Sequence, residues 1–290
     1  MASNACSKIA ALALSILPCL GAYAAEAETT AAIVRPVTSA YGIEAGSAHL
    51  ADTYLTPLHY DGWHSAVTYS RTQAMAFDPG RWSMRLSLRG TADHTQNPAR
   101  NATMWNFDIE AAWGMTRRFR ITDAASAGIG GYTSLNAGAL YLGRNGNNPA
   151  AAKGAWVVGV SAAATYAMRI GRLPVSWGAS VAVPVAGAFF TPQYGQLYYE
   201  IYLGDRRGLA HAAWPGNYRR VDARAYADLH FGGTTLRLGY HLDLRSTRAN
   251  GITSRNVTHA FSAAIVTRWL SVPMTGYAPD PNTRIIATSY

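Results

Sequence analysis

Acids and imidazoles are scarce in this 290-residue chain, 16 Asp plus Glu and 8 His, so their spacing is informative. Asp228-x-His230 and His241-x-Asp243 each place a carboxylate and an imidazole two residues apart. On an extended strand that spacing puts both groups on one face, as a general-base dyad requires. Asp52, His59, Asp61, His64, Asp93 and His94 form a looser acid and histidine group that could serve a hydrolase. The same histidines, His59, His64 and His94, lack the short regular spacing of a zinc site, so no metal and no cofactor is expected.

A larger set of charges alternates with apolar residues: Glu44, Arg85, Arg89, Asp93, Asp108, Glu110, Arg220, Asp222, Arg224, Asp228, Arg237, His241, Asp243 and Arg245. Opposite charges repeating at period two are expected to form a ladder of ion pairs, and the two dyads fall inside it. Aromatic residues concentrate elsewhere. Tyr54, His59 and Tyr60 in 48–60, and Tyr194, Tyr198, Tyr199, Glu200 and Trp214 in 191–216, are the candidates for recognition.

The elements that must carry these residues are strands. From Thr38 onward, segments near 38–47, 61–76, 81–95, 103–119, 127–143, 155–170, 174–190, 217–231, 234–248 and 256–270 keep one parity apolar and the other polar or small. Trp105, Phe107, Ile109, Ala111 and Trp113 alternate with Asn106, Asp108 and Glu110. Residues 173–199 contain no charge, which by length invites a membrane helix. However, Val175, Trp177, Val181, Val183, Val185 and Phe189 keep the odd parity against small even residues, so a strand is the better reading.

Short links, 77–80, 171–173 and 232–233, alternate with long ones, 48–60, 96–102, 144–154, 191–216 and 249–255. An up-and-down transmembrane β-barrel of about ten antiparallel strands, all-β, with short periplasmic turns and long extracellular loops, produces this rhythm. The turns also set a register. A two-residue turn at Gly232-Gly233 places Asp228 opposite Arg237, Arg224 opposite His241, Asp222 opposite Asp243 and Arg220 opposite Arg245. A four-residue turn at 77–80 sets His64 opposite Asp93 and Thr68 opposite Arg89. A ten-stranded lumen is little wider than one that side chains fill, so long arginines should plug it.

Composition agrees with immersion in lipid. Charged residues are 14% against a usual ~25%, and mean hydropathy is −0.03, too even for a helical membrane bundle. The 8 Trp and 17 Tyr suit interfacial belts. Lys8, the apolar run 9–20 and Ala22-Tyr23-Ala24 read as a Sec signal peptide, 1–24, cleaved near Ala24. Both cysteines, Cys6 and Cys19, fall within it, which excludes disulfides and thiol chemistry afterwards. Residues 25–37 then form a periplasmic segment, 38–270 the barrel and 271–290 a Pro-rich tail. The formal charge of +9 is spread along strands as arginine, so no nucleic-acid partner is expected.

The stretches 52–62 (DTYLTPLHYDG) and 192–200 (PQYGQLYYE) resemble a family of uncharacterised secreted proteins of Bacteroidota, of Bacteroides and Prevotella type. That resemblance implies an outer-membrane barrel and brings no activity or functional residues. Acid and histidine residues at a ten-stranded rim are also similar in architecture to omptin proteases, with no matching motif. The expectation is therefore a non-enzymatic surface protein contacting lipopolysaccharide and phospholipid, with an extracellular ligand or protein at its loops. A narrow channel and a rim hydrolase are the alternatives.

Overall fold

The computed structural model describes residues 33–146, 148–269 and 284–286. Residues 1–24, expected to be a signal peptide, and nearly all of the 271–290 tail lie outside the described residues. The long strands are β2 (Val37–Asp52), β3 (His59–Ala74), β4 (Trp82–Gln96), β5 (Thr103–Arg120), β6 (Ala125–Leu142), β7 (Ala150–Ile170), β8 (Leu173–Phe190), β10 (Tyr218–Phe231), β11 (Thr234–Ala249) and β12 (Ile252–Trp269). Each pairs antiparallel with its sequence neighbour, β12 returns to β2, and β8 pairs with β10 to close a ten-stranded ring. Closure leaves no open edge along the body of the sheet, as backbone polar groups in lipid demand.

Short elements sit at both ends. β1 (Ile33–Val34) pairs in parallel with β13 (Arg284–Ile285). Within the connection from β8 to β10 lie α1 (Tyr198–Tyr202) and β9 (Ala210–Ala213), which extends the upper end of β8. The strands run 14 to 21 residues, longer than the ~9–11 needed to cross a bilayer, so they project beyond an apolar band.

Alternation sorts the side chains. Ile43, Val67, Phe107, Ile109, Leu135, Trp156, Trp177, Tyr240 and Phe261 are exposed on the outer face, while Glu44, His64, Arg89, Asp93, Glu110, Arg220 and Asp243 are buried within the ring. The register pairs Asp228 with Arg237, Arg224 with His241, Asp222 with Asp243 and Arg220 with Arg245. It likewise pairs His64 with Asp93 and Thr68 with Arg89.

The strands are longer than the pattern indicates at the long-loop end, and three connections change in consequence. The 48–60 loop shrinks to 53–58, the 144–154 loop to 143–149, and 249–255 becomes the two-residue turn Asn250-Gly251. Both turn residues have positive φ, 51° and 73°, the conformation of a type I′ hairpin that asparagine and glycine tolerate. Alternation was hard to see there because Leu50, Tyr60, Met104, Leu140 and Leu142 face inward and are apolar, on the parity that is polar lower down.

Phe189 departs from its expected face. Val158 pairs with Ala186 and Gly159 with Pro184, so a β-bulge at Val185 adds one residue to β8 and reverses its parity above. Phe189 thereby turns inward and packs with Ala155, Val157, Ala213 and Tyr218.

Candidate functional site in the lumen and its cap

Three layers fill the ring. Midway along it the charges form a connected network that crosses the lumen. Arg220 of β10 donates through Nη1 and Nη2 to Glu110 of β5 at 2.5 and 2.7 Å, and through Nε and Nη2 to Asp243 at 2.9 Å each. Arg89 of β4 donates through Nε to Glu44 at 3.0 Å and lies 3.5 Å from Asp243. His64 Nδ1 donates to Asp93 at 2.5 Å, and its Nε2 accepts from Arg89 Nη2 at 3.2 Å. His241 stands between Glu44 at 3.0 Å and Asp222 at 3.3 Å.

Farther out in the same layer Arg224 forks onto Asp222 at 3.1 and 3.2 Å, Arg237 onto Asp228 at 2.7 and 2.9 Å, and Arg245 reaches Asp108 at 3.5 Å. Bidentate arginine contacts of this kind fix geometry as well as charge. Asn106 donates to the second oxygen of Asp93 at 2.7 Å, and Asn136 donates at 2.9 Å to the Asp108 oxygen that faces Arg245.

Neither dyad is free to act as a base. Asp228 is held by Arg237, while His230 contacts Ser176 at 3.0 Å and Thr235 at 2.9 Å. Asp222, His241 and Asp243 offer donor atoms within 4.8 Å of one another. Yet Arg220, Arg224 and Arg245 already occupy those carboxylates, so a metal cation would have to displace guanidinium groups.

The expected rim group does not converge. His64 and Asp93 lie inside the barrel, and Asp52 is buried against Lys153 Nζ at 2.5 Å. His94 is on the outer face between Trp63 and Trp105, with centroids 5.7 and 4.5 Å away. Asp61 is also outside, 2.6 Å from His49, and His59 opens β3. Alternation separates them, because neighbours of opposite parity face opposite sides of the wall.

Above the network the lumen is apolar. Leu50, Leu55, Tyr60, Ala102, Met104, Leu140, Leu142 and Ala151 form one buried cluster, with Tyr54 packed against it. Tyr60 is thus a core residue and no part of an exposed recognition loop. This layer was missed from sequence, although its residues share the parity of the lumen charges; that shared parity is the signal that could have found it.

The cap is the third layer. Tyr54 donates its hydroxyl to the Gln196 carbonyl at 2.6 Å and accepts from Asn148 at 2.6 Å, and its ring meets Tyr198 edge-on at 6.0 Å. Burial, and after it the neighbouring Tyr198, pushes the Tyr54 phenol up to about 12. Tyr198 accepts from the Ala152 amide at 2.6 Å, and Glu200 accepts from the Leu197 amide at 2.9 Å, capping α1. These residues therefore hold the cap together. Tyr194, Tyr199 and Tyr202 remain exposed in the connection from β8 to β10, as does Trp214 where the chain leaves β9.

The family model described as Protein of unknown function (DUF3316) matches residues 9–275. The chain belongs to that family. No curated protein matches it in sequence. Among solved structures, the outer membrane protease OmpT from Escherichia coli is similar at TM-score 0.48 and 8% identity, covering 81% of this chain and 97% of that one. The translocator domain of the autotransporter NalP from Neisseria meningitidis follows at 0.36 and 8%, covering 81% and 88%. An outer membrane channel from Pseudomonas putida F1 follows at 0.30 and 8%, covering 86% and 100%. The ring of strand pairs defines the barrel independently of these likenesses.

Proposed function

We propose that this protein is an integral outer-membrane barrel, closed to free diffusion, that works at the cell surface through the cap over its long-loop end. A Sec signal ending near Ala24 would deliver it, the outer belt would contact phospholipid and lipopolysaccharide, and the short turns would face the periplasm. The likeness of 52–62 and 192–200 to Bacteroidota proteins supports a Gram-negative envelope of that type.

The observation that carries this reading is the pairing of a closed lumen with an ordered aromatic cap. Salt bridges cross the middle of the ring, an apolar cluster fills its upper part, and Tyr194, Tyr199, Tyr202 and Trp214 of the β8–β10 connection are left exposed. Exposed aromatic rings held on a rigid platform are costly unless they bind, since they offer large contact area at little conformational cost. Flat rings of this kind suit saccharide or protein partners.

Two measurements test the proposal. Purified protein in planar bilayers should conduct at background. Cells displaying it should adhere to members of an immobilised polysaccharide and matrix-protein panel, and replacing Tyr199, Tyr202 and Trp214 together by Ala should weaken adhesion about tenfold or more. Conductance well above background without adhesion would replace this reading with that of a narrow channel.

A further inference from the structure

Each of Arg89, Arg220, Arg224, Arg237 and Arg245 has a carboxylate oxygen within 4.0 Å. Arg85 of β4, whose side chain shares their face, has neither an ion pair nor a hydrogen bond among the described residues. Its register neighbours, Thr72 on β3 and Gly114 on β5, offer no acid.

Arg85 opens into a cavity of about 180 Å³ on the short-turn side of the Arg220–Glu110 contact. The cavity exists because the wall opposite is made of small residues, Ser161 and Ala163 of β7 and Ser180 and Ala182 of β8. Arg224 also lines it, with its Nε and Nη2 turned to Asp222. The carboxylates of Glu110 and Asp222 also line it, each held by an arginine, Arg220 and Arg224. Among the described residues no hydrogen bond engages the hydroxyls of Ser161, Ser180 or Tyr132, which lie on the same lining.

A guanidinium keeps its proton inside a protein, so one that faces an internal cavity without a carboxylate partner offers its donors to an anion. The geometry points to a small oxyanion, a phosphate or short carboxylate, bound in this cavity by the Arg85 fork, with serine and tyrosine hydroxyls as further donors. The volume equals the share of about six waters, which limits the ligand to a few heavy atoms. The apolar cluster above closes the long-loop end, so the anion enters from the short-turn side. This inference is independent of what the cap binds.

The test is isothermal titration of the full chain, folded in detergent, with inorganic phosphate and with succinate, against chloride at matched ionic strength. Saturable binding that chloride does not reproduce is expected, weakened about tenfold or more in Arg85→Gln. Ala163→Leu fills the cavity from the far wall and leaves every ion pair in place, so it reads the site even if Arg85→Gln folds poorly; it too should weaken binding about tenfold or more. Absence of saturable binding by either anion, or an unchanged affinity in Ala163→Leu, overturns the proposal.

Discussion

Arg220 and Glu110 meet across the lumen as a bidentate pair at 2.5 and 2.7 Å, although their strands, β10 and β5, are not neighbours in the ring. The contact is a strut between opposite walls, and Arg220 shares it with Asp243. Arg220→Ala would strand Glu110 in a buried site, with Arg245 at 4.0 Å as its nearest remaining cation, and a loss of about 3–5 kcal/mol is expected. Urea unfolding of the barrel in lipid vesicles measures it. The double variant Arg220→Met with Glu110→Leu should lose less than Arg220→Ala alone, since it removes the stranded charge; an equal or larger loss would contradict a strut held by charge compensation.

The apolar layer should act as a seal. Met104 is fully buried beneath the cap, and Met104→Ala is expected to cost about 2–5 kcal/mol and to leave a cavity in the layer. Single-channel recording should then show brief openings in the variant that the parent lacks. Unchanged stability would mean that the cluster relaxes to fill the space.

Phe261 projects from the middle of β12 and is 75% exposed, as a lipid-facing side chain would be. Phe261→Arg is expected to destabilise the inserted barrel by about 2–4 kcal/mol. Heat-modifiable gel mobility of the membrane-extracted protein reports it as a smaller folded fraction. A wild-type level of the fast-migrating form would argue against an apolar surrounding for that face.

Asn250 donates its side-chain amide to the carbonyls of Gly208 at 2.8 Å and of Thr191 and Pro192 at 3.2 Å, fastening the long connection to the turn after β11. Asn250→Gly keeps the left-handed backbone and removes only these bonds. Amide exchange across 191–210 should accelerate while the strands remain protected. Equal protection before and after would show that Tyr54 and Tyr198 alone hold the cap.

The raised Tyr54 phenol makes the cap sensitive to alkali. Because its folded value lies near 12, above the ordinary value near 10, the unfolded chain loses its proton first. Stability from this group is therefore complete below about pH 10 and is lost as pH climbs through about 12. Ultraviolet difference titration should show a late-titrating tyrosine that disappears in Tyr54→Phe; an unchanged titration curve would remove Tyr54 from that role.

The register of the charged strands could be read from the chain because two local facts suffice. A tight turn such as Gly232-Gly233 sets which residues oppose, and period-two alternation sets which of them share a face. Asp228 against Arg237 and His64 against Asp93 follow from those facts alone. The cap was less accessible. Tyr60 belongs to an inward-facing run whose apolar character hid the alternation, and Phe189 changed faces through a single inserted residue at Val185 that no composition marks.

The wall is therefore legible in the chain: strand succession, the alternation of outward-facing and lumen-facing side chains, and pairing between neighbours across tight turns. These depend on contacts close in sequence or on a fixed side-chain period. The contents come from the closed ring: Arg220 reaching Glu110, Arg89 reaching Asp243, Asn250 fastening Gly208, and Arg85 left facing a cavity. Those contacts exist because closing the ring brings strands from distant parts of the chain within a side chain's length of one another, a distance that no local pattern encodes.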